Sequence, residues 1–128
     1  MKHTDIIIIG AGLSGIGAAC HLERKNKNKT YRILEAREEI GGTWSLFKYP
    51  GIRSDSDMYT FGYSFKTWDN PKSFADAPSI LNYLNEAADE FNIRNKIQYS
   101  TQVLSVNFNT SSNTWTVETQ NSKTTSKE

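Results

Sequence analysis

Asp5-Ile-Ile-Ile-Ile-Gly10-Ala-Gly12-Leu-Ser-Gly15 is the stretch that decides how this chain folds. Ile6 to Ile9 are four consecutive β-branched apolar residues. A run with no polar face suits a parallel strand covered on both sides. It stops at Gly10, and Gly10, Gly12 and Gly15 then follow the G-x-G-x-x-G spacing. Gly10 lets the chain turn off the strand, Gly12 lets backbone approach a pyrophosphate, and Gly15 lets the next helix pack close to the strand. Leu13 and Ser14 lie in the first turn of that helix, where free N–H groups and the helix dipole favour an anion.

The flanks agree with this reading. A helix follows through Leu13, Ile16, Ala19, Cys20 and Leu22, and a second strand through Tyr31-Arg-Ile-Leu34. Glu35 ends that strand, twenty residues after Gly15. A carboxylate there accepts hydrogen bonds from ribose hydroxyls and repels a 2′-phosphate. The pattern therefore predicts a site for FAD or NAD(H), not NADP(H). A glycine-rich turn in an unrelated α/β domain would not need the acid at that spacing. Further on, Gly41-Gly42 allows another close approach of backbone to cofactor. With the first motif and Glu35 it completes a three-part pattern of FAD-binding proteins, for which an NAD dehydrogenase has no particular need.

Composition narrows the function classes. The chain has 128 residues, a net charge of +1 and one cysteine, Cys20. That is one modest domain, with no nucleic-acid signature, no disulfide framework and no cysteine metal site. His3 and His21 have no companions, and no metal site is expected. Lys25-Asn-Lys27-Asn-Lys29 falls where the first helix must turn, and reads as a solvated loop. No apolar run is long enough to span a membrane. The start is not read as a signal peptide, because Asp5 and the glycines interrupt it, so a cytoplasmic location is expected.

After Gly42-Thr43-Trp44 comes Tyr49-Pro50-Gly51-Ile-Arg53-Ser54-Asp55-Ser-Asp57-Met58-Tyr59. Spacing alone makes this a surface loop whose aspartates cap a short helix at Met58. Tyr59, Phe61, Tyr63 and Phe65 alternate as a strand-like segment with one buried face would. Asp76-Ala-Pro78-Ser79 starts a helix whose apolar face is Ile80, Leu81, Leu84, Ala87, Ala88 and Phe91. Ile97-Gln-Tyr99 is a short β segment, and 103–119 reads as a β-hairpin with a polar loop at 109–113. Residues 120–128 are polar and expected to fray.

From about residue 4 to about residue 118 these combined motifs resemble the N-terminal part of class B flavoprotein monooxygenases, most closely the Baeyer–Villiger group and its ketone- and thioamide-oxidising branch. The resemblance implies an α/β fold: a Rossmann-like FAD-binding βαβ start, a helical insertion and a C-terminal β-hairpin. It implies FAD contacts at Gly10, Gly12, Leu13, Ser14, Gly15, Glu35, Ala36, Arg37, Gly42, Thr43, Trp44, Asp55 and Val103. Thr43 and Trp44 would lie along the flavin, and Val103 would present its backbone to the adenine. Asp55 would orient an arginine from elsewhere. Arg53, Ser54 and Asp55 would face the NADPH side, and an aromatic that commonly contacts the cofactor falls at Phe61. The activity implied is NADPH-dependent transfer of one oxygen atom from O₂ to a ketone, thioamide, sulfide or amine. No second glycine motif for NADPH and no Phe-x-Gly-x-x-x-His-x-x-x-Trp fingerprint occurs in these residues. Residues 1–128 are thus expected to be the N-terminal portion of a truncated FAD domain, without an NADPH domain, and inactive alone. A non-catalytic dinucleotide-binding module and an NAD-dependent dehydrogenase fragment are the alternatives.

Overall fold

A computed structural model describes residues 2–121. Of the residues expected to fray, 120–128, Gln120 and Asn121 are instead paired in a strand, opposite Gln102 and Thr101, and the rest lie outside the described residues. The order is β1 (Ile6–Ile9), α1 (Leu13–Lys25), β2 (Tyr31–Leu34), α2 (Thr43–Leu46), α3 (Met58–Phe61) and α4 (Ala77–Glu90), followed by a 3-10 turn (Arg94–Lys96), β3 (Ile97–Gln98), β4 (Thr101–Asn109) and β5 (Thr114–Asn121). β1, β2 and β3 form a parallel sheet in that order, with Ile6 opposite Tyr31 and Ile33 opposite Ile97. β4 and β5 form a separate antiparallel hairpin. The Rossmann-like βαβ start, helical insertion and terminal hairpin are all present.

Two expectations need correction. Among the described residues, β1 is not covered on both faces. Ile6 and Ile8 pack against the core, but Ile7 is 39% and Ile9 56% exposed. α1 covers one face only. On the other, Val106, Trp115 and Val117 of the hairpin share an open cavity of about 420 Å³ with Ile7 and Ile9. An all-apolar run cannot distinguish one covered face from two.

Residues 59–65 are not strand-like. Asp57 accepts from the Thr60 N–H at 3.0 Å and caps α3, which ends at Phe61. The local cap overrides the aromatic alternation. The aromatics still serve packing: Phe61, Tyr63 and Phe65 are half-buried against the core, although Tyr59 is exposed.

The core lies between the sheet, α1 and α4. Ile16, Ala19 and Cys20 of α1 meet Ile80, Leu84, Ala87 and Ala88 of α4, all fully buried. Asp76 starts α4 by accepting from the Ser79 N–H at 3.0 Å, with Pro78 in the first turn. The Ser79 hydroxyl and N–H beside Asp76 hold its carboxyl below the usual carboxylate value. A depressed folded-state value contributes stability above about pH 4, and that contribution is lost as pH falls through the folded value. Asp76→Asn keeps an acceptor that does not titrate. The melting-temperature gap between the two proteins should therefore shrink as pH drops below about 4. A gap that stays constant down to pH 2–3 would remove the charge from the cap's contribution.

Candidate functional site

The carboxyl end of the sheet converges on one cradle. Gly10 leaves β1 at φ +95°, and its N–H donates to the Leu34 carbonyl at 2.8 Å. α1 starts at Leu13 with no side-chain cap and no acid in its first turn. The N–H groups of the first turn therefore have no intrahelical acceptor, and no acid of that turn competes for them.

Glu35 forms the next wall. It is 7% exposed. One carboxylate oxygen accepts from the Ala11 N–H and the other from the Arg37 N–H, both at 2.9 Å. The acid ties the glycine loop to the end of β2. Each oxygen keeps a further lone-pair direction for a hydroxyl donor. Its backbone is anchored too: the Glu35 N–H donates to Gln98 (2.9 Å), and its carbonyl accepts from Thr101 (2.8 Å).

Gly41 and Gly42 close the third side. The Gly41 N–H donates to the Ala11 carbonyl at 2.9 Å. A Cβ built on Gly42 would lie 3.2 Å from the Gly12 Cα. The two glycine turns meet backbone to backbone, with no side chain between them. This is a cradle that side chains at these positions would fill. α2 opens directly from Gly42, also without a side-chain cap.

The remaining predicted residues are less uniform. The Arg37 guanidinium donates to the Ser45 hydroxyl at 2.6 Å and pairs with Glu39 at 3.2 Å. Ala36 and Thr43 are exposed. Trp44 is half-buried and edge-on to Phe61, centroids 5.8 Å apart. Val103 is on β4 opposite Thr119, beside a register shift and two residues past the Thr101 anchor. Asp55 and Arg53 are exposed. Ser54 is not: it is 3% exposed, and its hydroxyl donates to the Ser56 carbonyl at 2.7 Å. Its side chain holds the loop rather than facing outward.

A cleft of about 1020 Å³ adjoins the cradle through Trp44, with Phe47, Tyr49, Arg53, Phe74 and Leu81 among its walls. Sequence reasoning missed Ala11 and Ser45. Ala11 donates to Glu35 and accepts from Gly41, and its place between two motif glycines was the available signal. Ser45 is fully buried under the Arg37 guanidinium, which no spacing rule announces.

Other chemistry has little support. Burial pushes the Cys20 thiol up to about 11, so it stays protonated and inert near neutral pH. No cluster of metal-ligating side chains occurs among the described residues. None of their helices is long and apolar enough to cross a membrane.

Strand, glycine turn, helix and the buried acid that ends the second strand define a Rossmann-like α/β domain. The chain belongs to the NAD(P)-binding Rossmann-like domain family, whose model matches residues 8–86. It corresponds to the N-terminal part of class B flavin monooxygenases. It is 53% identical over 116 residues to the FAD-containing monooxygenase EthA of Mycolicibacterium smegmatis, covering 91% of this chain and 24% of that protein. A steroid monooxygenase bound to NADP superposes with a TM-score of 0.84 at 32% identity, over 92% of this chain and 23% of that one. OTEMO in complex with FAD and NADP gives a TM-score of 0.82 at 32% identity, with 92% and 23% covered. The chain thus spans about a quarter of the length of the relatives it matches.

Proposed function

We propose that this chain holds FAD as the flavin-binding portion of an NADPH-dependent monooxygenase. Such an enzyme inserts one oxygen atom of O₂ into a ketone or adds it to sulfur or nitrogen. The observation that carries the reading is the meeting of Gly12 and Gly42 beside the buried Glu35 carboxylate. A pyrophosphate needs close backbone on more than one side, and the ribose next to it needs a charged acceptor.

The residues present fit such a group. The N–H groups of Leu13 and Ser14 bind the pyrophosphate, with Gly10, Gly12 and Gly15 shaping the turn. Glu35 takes the ribose hydroxyls. Ala36 and Arg37 flank that ribose, with Arg37 steadied by Ser45 and Glu39. Gly42, Thr43 and Trp44 run along the flavin, and Val103 offers backbone to the adenine. Arg53 and Asp55 lie on the NADPH side, where Asp55 fixes an arginine from elsewhere through a charge-assisted hydrogen bond. When bound, the flavin supplies the redox and oxygen-transfer chemistry, while the protein orients it and excludes water.

Titrating FAD into the chain, with NADH as competitor, tests this reading. Saturable quenching of flavin fluorescence that NADH reverses only weakly is the expected result. Tight NADH binding without FAD binding would instead favour an NAD-dependent dehydrogenase.

A further inference from the structure

The first turn of α1 is gripped by a residue from outside the βαβ unit. The Tyr63 hydroxyl donates to the Leu13 carbonyl at 2.5 Å. Its ring reaches the helix because residue 17 is glycine: a Cβ there would sit 2.8 Å from the Tyr63 Cε1. Tyr63 is itself fixed from behind. Its N–H donates to the Tyr83 hydroxyl at 2.9 Å, and that hydroxyl donates to the Lys66 carbonyl at 2.6 Å. Its ring stacks on Phe65 and Tyr83, with centroids 4.8 and 5.7 Å away. Burial pushes the phenol well above the ordinary tyrosine value, so it remains a donor across the neutral range.

The hydrogen bond falls on a consequential peptide group. The Leu13 carbonyl and the Ser14 N–H are opposite ends of one planar, resonance-coupled unit. A donor on that oxygen makes the N–H at the other end a stronger donor. Ser14 is the second residue of α1, where the N–H has no intrahelical acceptor and points toward an incoming anion. We infer that Tyr63 is a positioning residue for the pyrophosphate: its hydroxyl polarises and aims the Ser14 N–H. The same contact locks the anion-binding turn to the 53–65 segment that carries Arg53 and Asp55. The inference rests on the FAD reading above. It extends that reading to a residue outside the glycine motifs and the βαβ unit.

Tyr63→Phe keeps the ring, its stacks and its contact with Gly17, and removes only the donor. FAD affinity of the full chain should fall about three- to ten-fold, the range expected for losing one hydrogen bond's contribution. Adenosine, which has no phosphate, should bind the two proteins equally. The Ser14 amide proton should move upfield in the ligand-free variant more than those of its helix neighbours. A merely structural role would weaken both ligands alike and would not single out Ser14, and that result overturns the inference. So does unchanged FAD affinity. If Tyr63→Phe does not melt cooperatively, Gly17→Ala, whose methyl displaces the ring, is read by the same three criteria. Failure of the unaltered chain to bind FAD would sink the FAD reading itself, and the Ser14 shift between ligand-free proteins would then decide the role of Tyr63.

Discussion

Glu35→Ala is expected to weaken FAD binding by about 100-fold. Two ribose hydroxyls donating to a charged acceptor are worth about 1.5 kcal/mol each at the low end, and about 1.4 kcal/mol is a factor of ten. The substitution has a second cost that is independent of ligand. It leaves the Ala11 and Arg37 N–H groups without their acceptor in a place that is 7% exposed. Each unpaired buried donor costs about 1–3 kcal/mol, so the ligand-free protein should also melt lower. Glu35→Gln separates the two effects. It retains one good acceptor, but its amide NH₂ meets an N–H donor on the other side. Its affinity and stability should both lie between those of the parent and the alanine variant. Fluorescence titration and thermal melts of all three proteins check this. A parental FAD affinity in Glu35→Ala would remove Glu35 from the ribose site.

Gly15→Ala should be the most damaging single methyl in the chain. A Cβ at position 15 would lie 1.9 Å from the Gly10 carbonyl oxygen and 3.0 Å from its carbon. Both atoms are backbone, so no side chain can rotate away. α1 must lift off the end of β1, which separates the two glycine turns and pulls Ile16, Ala19 and Cys20 from the core. Overpacking of this kind costs about 3 kcal/mol or more. Gly10→Ala is the control. Nothing lies within 4 Å of a Cβ at Gly10, although its φ of +95° disfavours any side chain. Its cost is backbone strain alone, about 1–2 kcal/mol. A Gly15→Ala protein melting at or above Gly10→Ala would contradict the packing described here.

These two predictions use the part of the fold that was most readable from sequence. The glycine spacing and Glu35 were legible because each residue answers a local backbone demand, and the structure has Gly10 at positive φ and Gly15 against Gly10. The cap at Asp76 and the apolar face of α4 were legible for the same reason. What was lost depends on long-range partners. Four isoleucines in a row do not say that α1 covers Ile8 while Ile9 remains 56% exposed. Over Tyr59 to Phe65 two readings overlapped: the short helix capped by aspartate at Met58 is what forms, and the strand-like alternation of the aromatics gives way to it because periodicity does not weigh a local cap. Ile97-Gln-Tyr99 read as a short β segment and β3 forms there, but its parallel pairing with β2 through Ile97 and Gln98 depends on a partner that is distant in sequence. Tyr63 read as one more core aromatic. Its hydroxyl meets Leu13 fifty residues away, and only the fold brings those two together.

The site is legible to a different degree. Gly12, Gly42 and Glu35 come together as their motifs suggested. Arg37 was expected against the cofactor, and its guanidinium is held by Ser45 and Glu39 at the edge of the cradle. Ser54 turns inward because its hydroxyl closes a local turn with Ser56, a contact that the flanking Arg53 and Asp55 do not make apparent.

The most direct test of the account follows every backbone amide while FAD is added to the isotopically labelled chain. The predicted result is a set of saturating shifts at Gly10 to Gly15, at Glu35 to Arg37 and at Gly41 to Trp44, with α4 and the β4–β5 turn unmoved. Shifts confined to the Trp44–Phe74 cleft, or none at all in a chain that is demonstrably folded, would contradict the assignment of the cradle to the dinucleotide.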